Sequence, residues 1–356
     1  MNALAGLEEL PENIREHVLQ LLKIYEHDSP YKSALIIEAL RLIADGNEIA
    51  DIKMLAKMLA ELRAGLNVFR PYQTVRKVSI FGSARTAATN PRYIQAMNCA
   101  ALLRDEGFMI ITGGGGGMME AANKGAGEPN SFAININLPM EQQPNPIMEG
   151  SPRHFYCQYF FTRKLFFLKE SDAVILTPGG FGTLDEAFET LTLLQTGRNP
   201  PVPVVLLEAP GDDYWGPFMH SWMRRLVKDG LIDASDDNLL YHTDSIESAV
   251  SHISDFYLNY HSFRYVGTCI LLRILKPLSA DALQRLNAEF SDVLSEGEID
   301  QVFHWPKSDD KCFAHLPRLR MHLDRNRMNV LPQIIRRMNG LYQSDHNETK
   351  VSSSSR

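Results

Sequence analysis

Cysteine is scarce in this sequence. The 356 residues include four, Cys99, Cys157, Cys269 and Cys312, and no two have the C-x-x-C spacing of a zinc or redox site. So few in a chain this long do not make a disulfide scaffold, which points to a reducing cytoplasm. Long apolar runs are also missing: none approaches the roughly 20 residues that a membrane-spanning helix needs. There is no basic excess. Lys and Arg total 36 against 43 Asp and Glu, a net charge of −7. That argues against a dedicated nucleic-acid binder while leaving room for a local phosphate pocket. Met1 to Pro11 carries Glu8 and Glu9 and no basic residue, unlike a secretory signal. There is no H-E-x-x-H and no nucleophile elbow. The histidines show no metal spacing, and His154 reads as structural.

What is present is a globular composition, 44% hydrophobic and 22% charged, in a chain long enough for about two domains. Residues 1–74 read as a helical segment: Ile14, Val18, Leu21, Leu22 and Tyr25 recur at helical spacing, as do Ile49, Ile52, Leu55, Met58, Leu59 and Leu62. Over 75–260 short apolar runs alternate with amphipathic stretches. The runs are 78–81, 109–112, 132–138, 173–177 and 202–207, and helices are expected at 91–106, 117–126, 160–170, 183–196, 215–229 and 245–258. This alternation implies an α/β fold, a Rossmann-like doubly wound parallel sheet covered on both faces. Ligands bind such sheets at the carboxyl ends of the strands, near a topological switch point. Residues 261–342 read as a small α+β appendage: a strand over 263–275, a helix over 279–295, strands near 301–305 and 317–323, and a helix over 327–342. The polar, serine-rich 343–356 reads as a disordered tail.

Three of the expected strands end in glycine. The richest turn is Pro178-Gly179-Gly180-Phe181-Gly182-Thr183, where a buried strand meets a helix. Glycine lets the main chain approach an anion, and helix-start N–H groups then point at it. Thr183 can cap the helix or bond a phosphate oxygen. Asp185 and Glu186 fall in the expected first turn, where the helix dipole keeps a carboxylate ionised. That would suit a base or a cation stabiliser better than an acid. Glu189 lies one turn on from Glu186, on the same side.

A second turn, Thr112–Met119, has the sequence TGGGGGMM. It fails the dinucleotide fingerprint, because Met118 stands at the sixth position and the next strand ends without an acidic residue. It also lacks the Lys-Ser/Thr of a Walker loop. A smaller nucleotide or its sugar fits better, with Glu120 placed to bond a ribose hydroxyl or to face solvent. A third loop, Gly82-Ser83-Ala84-Arg85, offers N–H groups, a hydroxyl and a guanidinium. Arg163 and Lys164 are adjacent in an apolar helix, about 100° apart, so one can meet an anion while the other pairs or snorkels.

These residues resemble the Lonely Guy family of phosphoribohydrolases, long mislabelled as possible lysine decarboxylases. The family's P-G-G-x-G-T-x-x-E stands complete at Pro178–Glu186, with Arg163-Lys164 upstream at the usual distance. The segment TGGGGGMMEAANKGA resembles the longer bacterial members, which commonly have proline at the Gly116 position. The resemblance covers about 75–260. It implies cleavage of the N-glycosidic bond of nucleoside 5′-monophosphates to free base and ribose 5-phosphate, on AMP or on cytokinin ribotides. By that likeness Glu186 and Arg163 are the catalytic pair. Gly179, Gly180, Gly182, Thr183 and Lys164 would bind substrate, and Gly82, Ser83, Gly114, Gly115 and Glu120 would line the nucleotide pocket. No metal or cofactor is expected, and the partners expected are the nucleotide and a second copy of the chain, as homodimer or higher homo-oligomer, with no nucleic acid or membrane. A decarboxylase would need pyridoxal phosphate and a Schiff-base lysine. Lys164 is the only lysine near the motifs, and no acidic partner for a pyridine nitrogen is evident. A nucleotide-sensing module without turnover is the stronger rival, and the presence of Glu186 speaks against it.

Overall fold

The computed structural model describes residues 12–25, 30–137, 143–303 and 311–353. The chain divides into two units, Met1–Leu66 and Asn67–Arg356. The first holds helices α1 (Glu12–Tyr25) and α2 (Pro30–Ala44) and most of α3 (Ile49–Phe69). Its described core is small, Val18 and Ile37 with Ile36 and Leu40 against them.

The second unit opens on the expected α/β alternation. Strands β1 (Lys77–Phe81), β2 (Met109–Thr112), β3 (Ser131–Ile136), β4 (His154–Cys157), β5 (Ala173–Leu176), β6 (Val204–Leu207) and β7 (Leu240–Thr243) form one sheet. Their order is β4-β3-β2-β1-β5-β6-β7, and every pairing is parallel. Helices α4 (Pro91–Asp105), α5 (Met118–Ala126), α6 (Phe160–Glu170), α7 (Phe181–Gln195), α8 (Trp215–Pro217), α9 (Arg224–Lys228) and α10 (Ile246–Phe256) connect them. The helix expected over 215–229 runs without a break from Trp215 to Lys228, with a π turn over Phe218–Met223 between α8 and α9. Burial on both faces explains why β1, β2, β3, β5 and β6 read as unbroken apolar runs: each is buried along its whole length. Strands β4 and β7 close the edges of the sheet and were not anticipated. They are only partly buried, so neither carries a continuous apolar signal.

The chain winds outward from β1 to β4, then returns to β5 on the other side of β1. The switch point therefore lies between β1 and β5, beneath the loops at Gly82 and Pro178–Thr183.

The C-terminal part is a second sheet, β8 (Tyr260–Val266), β9 (Cys269–Ile274), β10 (Leu294–Val302) and β11 (Arg318–Leu323), in the order β10-β11-β9-β8 and antiparallel throughout. Helices α11 (Ala280–Phe290) and α12 (Leu331–Ser353) complete it. The single strand expected over 263–275 is a hairpin, turned at Gly267 with φ +62°, a conformation that suits glycine. The helix expected to reach 295 ends at Phe290, and Leu294 begins β10. The disordered tail is corrected over 343–353, which are helical. Its last residues, 354–356, lie outside the described residues, as do Leu138 at the end of an expected strand and 304–305 of another.

Candidate active site

Three loops meet above the switch point and are tied together by backbone bonds. Ser83 N–H donates to Pro178 O at 3.1 Å and Met118 N–H to Ser83 O at 3.0 Å. Thr177 donates to Phe81 O through both its N–H and its hydroxyl, each at 2.8 Å. Close approach needs glycine here. A Cβ at Gly82 would lie 2.0 Å from Thr177 Oγ1, and one at Gly179 would lie 2.1 Å from Thr183 Oγ1. The Thr112–Met119 loop is braced from beneath by buried amides. Asn123 Oδ1 accepts from Thr112 Oγ1 and Asn145 Nδ2, at 2.7 and 2.9 Å, and Asn145 N–H donates to Gly114 O at 2.8 Å.

These loops enclose a cavity of about 680 Å³. Of the residues expected at the site, Gly82, Ser83, Gly115, Arg163, Gly180, Gly182, Thr183 and Glu186 line it. Gly114, Glu120, Lys164 and Gly179 do not. Gly114, at φ +72°, packs on Asn135. Glu120 accepts from Tyr93 OH at 3.1 Å. Lys164 is held between Asp185 and Glu189 at 2.7 and 3.0 Å, so it positions helix α7 rather than facing the cavity. Gly179 O accepts from Tyr214 OH at 2.5 Å, which braces the glycine turn from behind.

Arg163 turns the other way from Lys164. Its Nε–H donates to Ile134 O at 2.9 Å, and the guanidinium lies over the Phe167 ring at 5.2 Å. Space for it exists because residue 113 is glycine: a Cβ there would lie 2.1 Å from Arg163 Nη2. Burial pushes Arg163 below its ordinary pKa, and the Glu186 charge opposes that shift.

Helix α7 begins at Phe181, two residues earlier than expected, with Gly180 as its N-cap. Its first backbone bond runs from Leu184 N–H to Gly180 O at 3.1 Å, so the N–H groups of Phe181, Gly182 and Thr183 have no helical carbonyl behind them. Among the described residues nothing lies within 4 Å of a Cβ built at Gly180 or Gly182. The N-cap, Gly180, has no side chain with which to cap the helix.

The early start moves Asp185 and Glu186 out of the first turn, where the helix dipole is felt most. Glu186 is 7% exposed. Burial pushes its carboxyl up to about 7, although Lys164 and Arg163 both favour the charged form. The expectation of a carboxylate kept ionised by the helix end is corrected: desolvation outweighs the dipole.

Sequence reasoning missed Asn135, Gln143, Phe160 and Phe181 on the cavity wall. Asn135 had a readable signal, a lone amide in the apolar run SFAINI. Its Oδ1 is buried with no hydrogen-bond partner among the described residues. His154, on β4, stands outside the lining, and burial lowers its pKa. Among the described residues no group of His, Cys, Asp and Glu is arranged to hold a metal ion, and no helix is long and apolar enough to cross a membrane.

The family described as possible lysine decarboxylase matches residues 119–253. A probable cytokinin riboside 5′-monophosphate phosphoribohydrolase of Oryza sativa subsp. japonica is 24% identical over 184 residues, 51% of this chain and 77% of that protein. A cytokinin riboside 5′-monophosphate phosphoribohydrolase of Mycobacterium tuberculosis is 24% identical over 184 residues, 49% of this chain and 95% of that one. One from Arabidopsis thaliana is 33% identical over 94 residues, and the match spans less than half of its length, 42%. Among solved structures, the molybdenum cofactor binding protein of Rippkaea orientalis covers 51% of this chain and 97% of its own at 21% identity, with a TM-score of 0.36. The matched segment includes the whole of Pro178–Glu186 and the Arg163-Lys164 pair, and over it the chain is similar to the family described as possible lysine decarboxylase.

Proposed function

We propose that the chain hydrolyses the N-glycosidic bond of nucleoside 5′-monophosphates, AMP foremost, releasing free base and ribose 5-phosphate. One observation carries the reading: the glycine turn, Glu186 and Arg163 face one cavity. The start of α7 would take the 5′-phosphate, with Phe181, Gly182 and Thr183 N–H groups as donors. Cleavage passes through an oxocarbenium-like transition state. Ionised Glu186 would stabilise that charge and orient water, and phosphate binding supplies energy away from the reacting carbon. Arg163 would neutralise the phosphate or steady the leaving base. Asn135, with its unpartnered Oδ1, is a donor-seeking group for the base or ribose.

The relatives named above support a second substrate. Met119, Ile136 and Phe160 give the cavity an apolar side suited to an N6-alkylated adenine, as in a cytokinin ribotide. The test is incubation of the purified chain, in chelator, with AMP, GMP, CMP and a cytokinin ribotide, followed by chromatography for released base. Adenine from AMP is expected. All four left intact would end the hydrolase reading, and binding without release would make the chain a nucleotide sensor. Adenosine should be a far poorer substrate than AMP, because the phosphate's binding energy is missing.

The proposal extends to a cytoplasmic homo-oligomer. Phe160, Phe161 and Leu165 on α6 and Phe181 on α7 stand exposed near the cavity, Phe181 at 93%. A second copy of the chain covering them would remove an apolar patch from water. Light scattering tests it, and a monomeric mass would refute it.

A further inference from the structure

The C-terminal sheet brings together three side chains that the nucleotide site does not use. Side chains alternate across a strand. Ile270, Leu272 and Ile274 of β9 and Leu319, Met321 and Leu323 of β11 enter the core with α11 and α12. Cys269 and His322 therefore stand on the opposite face. The register makes them neighbours: Met321 pairs with Ile270, which sets His322 beside Cys269, and Glu296 of β10 pairs with His322. Cys269, His322 and Glu296 thus form one lateral row across three strands.

The contacts follow from that row. Cys269 Sγ lies 3.0 Å from His322 Nε2, and His322 Nδ1 lies 3.0 Å from Glu296 Oε1. The carboxylate fixes the imidazole with Nδ1 as donor, which leaves Nε2 to accept the thiol proton. Nucleophile, base and orienting carboxylate then stand in the relation that activated thiols share. The Arg320 guanidinium, paired with Asp300, is near enough to interact with charge on Cys269. Cys269 follows the exposed Gly267-Thr268 turn and is itself partly exposed. Cys99 and Cys157, by contrast, are buried.

We propose that Cys269, His322 and Glu296 form a second reactive centre, a thiol that exchanges with small-molecule disulfides. Nε2 of His322 takes the thiol proton, and the Cys269 sulfur attacks one sulfur of R–S–S–R. The S–S bond breaks, and the departing thiolate takes the proton from the imidazolium and leaves as R–S–H. Cys269 is oxidised to a mixed disulfide, and one half of the reagent is reduced.

The experiment treats the full chain with glutathione disulfide and follows the adduct by intact mass, with peptide mapping to assign it. Cys269 should be modified faster than the exposed Cys312. His322→Ala should slow Cys269 by about tenfold or more, and added imidazole should restore part of the rate, which a purely structural role would not allow. Glu296→Gln, at an exposed position, should slow it about threefold, in keeping with an exposed pair. Equal rates at Cys269 and Cys312, or rates unchanged in both variants, would overturn the proposal. A loss in His322→Ala that imidazole leaves unrepaired would overturn the role of His322 as base.

Discussion

Replacing Glu186 with Gln removes a charge from a buried site and keeps its shape, so it separates what that charge does for stability from what it does for turnover. In the folded chain the carboxyl is raised from 4.5 to about 7. At about 1.4 kcal/mol per unit, that is on the order of 3 kcal/mol in favour of the neutral form. The folded value lies above the unfolded one, so the stability this group contributes is complete below about 4.5 and falls as pH rises. It is lost above about 7. The glutamine stays neutral throughout. Glu186→Gln should therefore melt close to the parent at about pH 5 and roughly 5–10 °C above it at about pH 8, at ~2–4 °C per kcal/mol for a domain of this size. Turnover should move the other way. Loss of a group that stabilises transition-state charge costs about 10²–10³ in rate. Scanning fluorimetry across pH and base release on the same preparations read the two effects. A melting difference that does not change with pH would refute the assigned burial cost. Near-normal turnover would refute the catalytic role.

If ionised Glu186 is the working form, kcat/KM for AMP should fall on the acid side with a midpoint near 7, since that profile reports the free enzyme; a fall on the alkaline side would make it the acid instead. Gly113→Ala should leave the sheet folded while displacing the Arg163 guanidinium, whose Nη2 would sit 2.1 Å from the new Cβ. A drop of about ten- to a hundredfold in kcat/KM is expected for a lost charge-assisted bond, and an unchanged value would remove Arg163 from the site. Gly180→Ala meets nothing of the described residues within 4 Å, so its melting temperature should hold while the KM for AMP rises; an unchanged KM would show that no phosphate is bound there.

Legibility in the sequence followed burial. Strand β2 and helix α6 occupy the expected ranges because a doubly covered strand and a helix with sharp ends each leave an unbroken local pattern. The edge strands β4 and β7 did not show, because a half-covered strand of four residues has too few apolar positions to establish a period. The hairpin at Gly267 was hidden because only the short Gly267-Thr268 turn separates two arms that are both rich in aromatic or branched residues. The loops were legible as a set, since glycine at strand ends marks close approach. Their division of labour was not. Lys164 and Arg163 had to point in different directions, but only the packed structure shows Lys164 pairing with Asp185 and Glu189 while Arg163 faces the cavity. The raised carboxyl of Glu186 was equally out of reach, because desolvation depends on what surrounds the residue rather than on where it stands in its helix.

The glycines of the site show the same limit from another side. In the sequence, Gly113, Gly179 and Gly180 are alike, each a glycine at the end of a strand. In space they serve different occupants. Residue 113 gives its Cβ volume to Arg163, and residue 179 gives it to Thr183. The space left by residue 180 holds no atom of the described residues within 4 Å, yet the backbone there starts a helix whose leading N–H groups lack helical acceptors. A close-packed interior rarely leaves room without a tenant. Open volume in front of helix-start donors, beside a carboxyl kept partly neutral by burial and the partly buried Arg163 guanidinium, is an arrangement suited to an anion. Under the proposed function only the phosphate of an otherwise neutral nucleoside monophosphate would carry that charge, so it would fix the orientation of the rest, with the glycosidic bond toward Glu186.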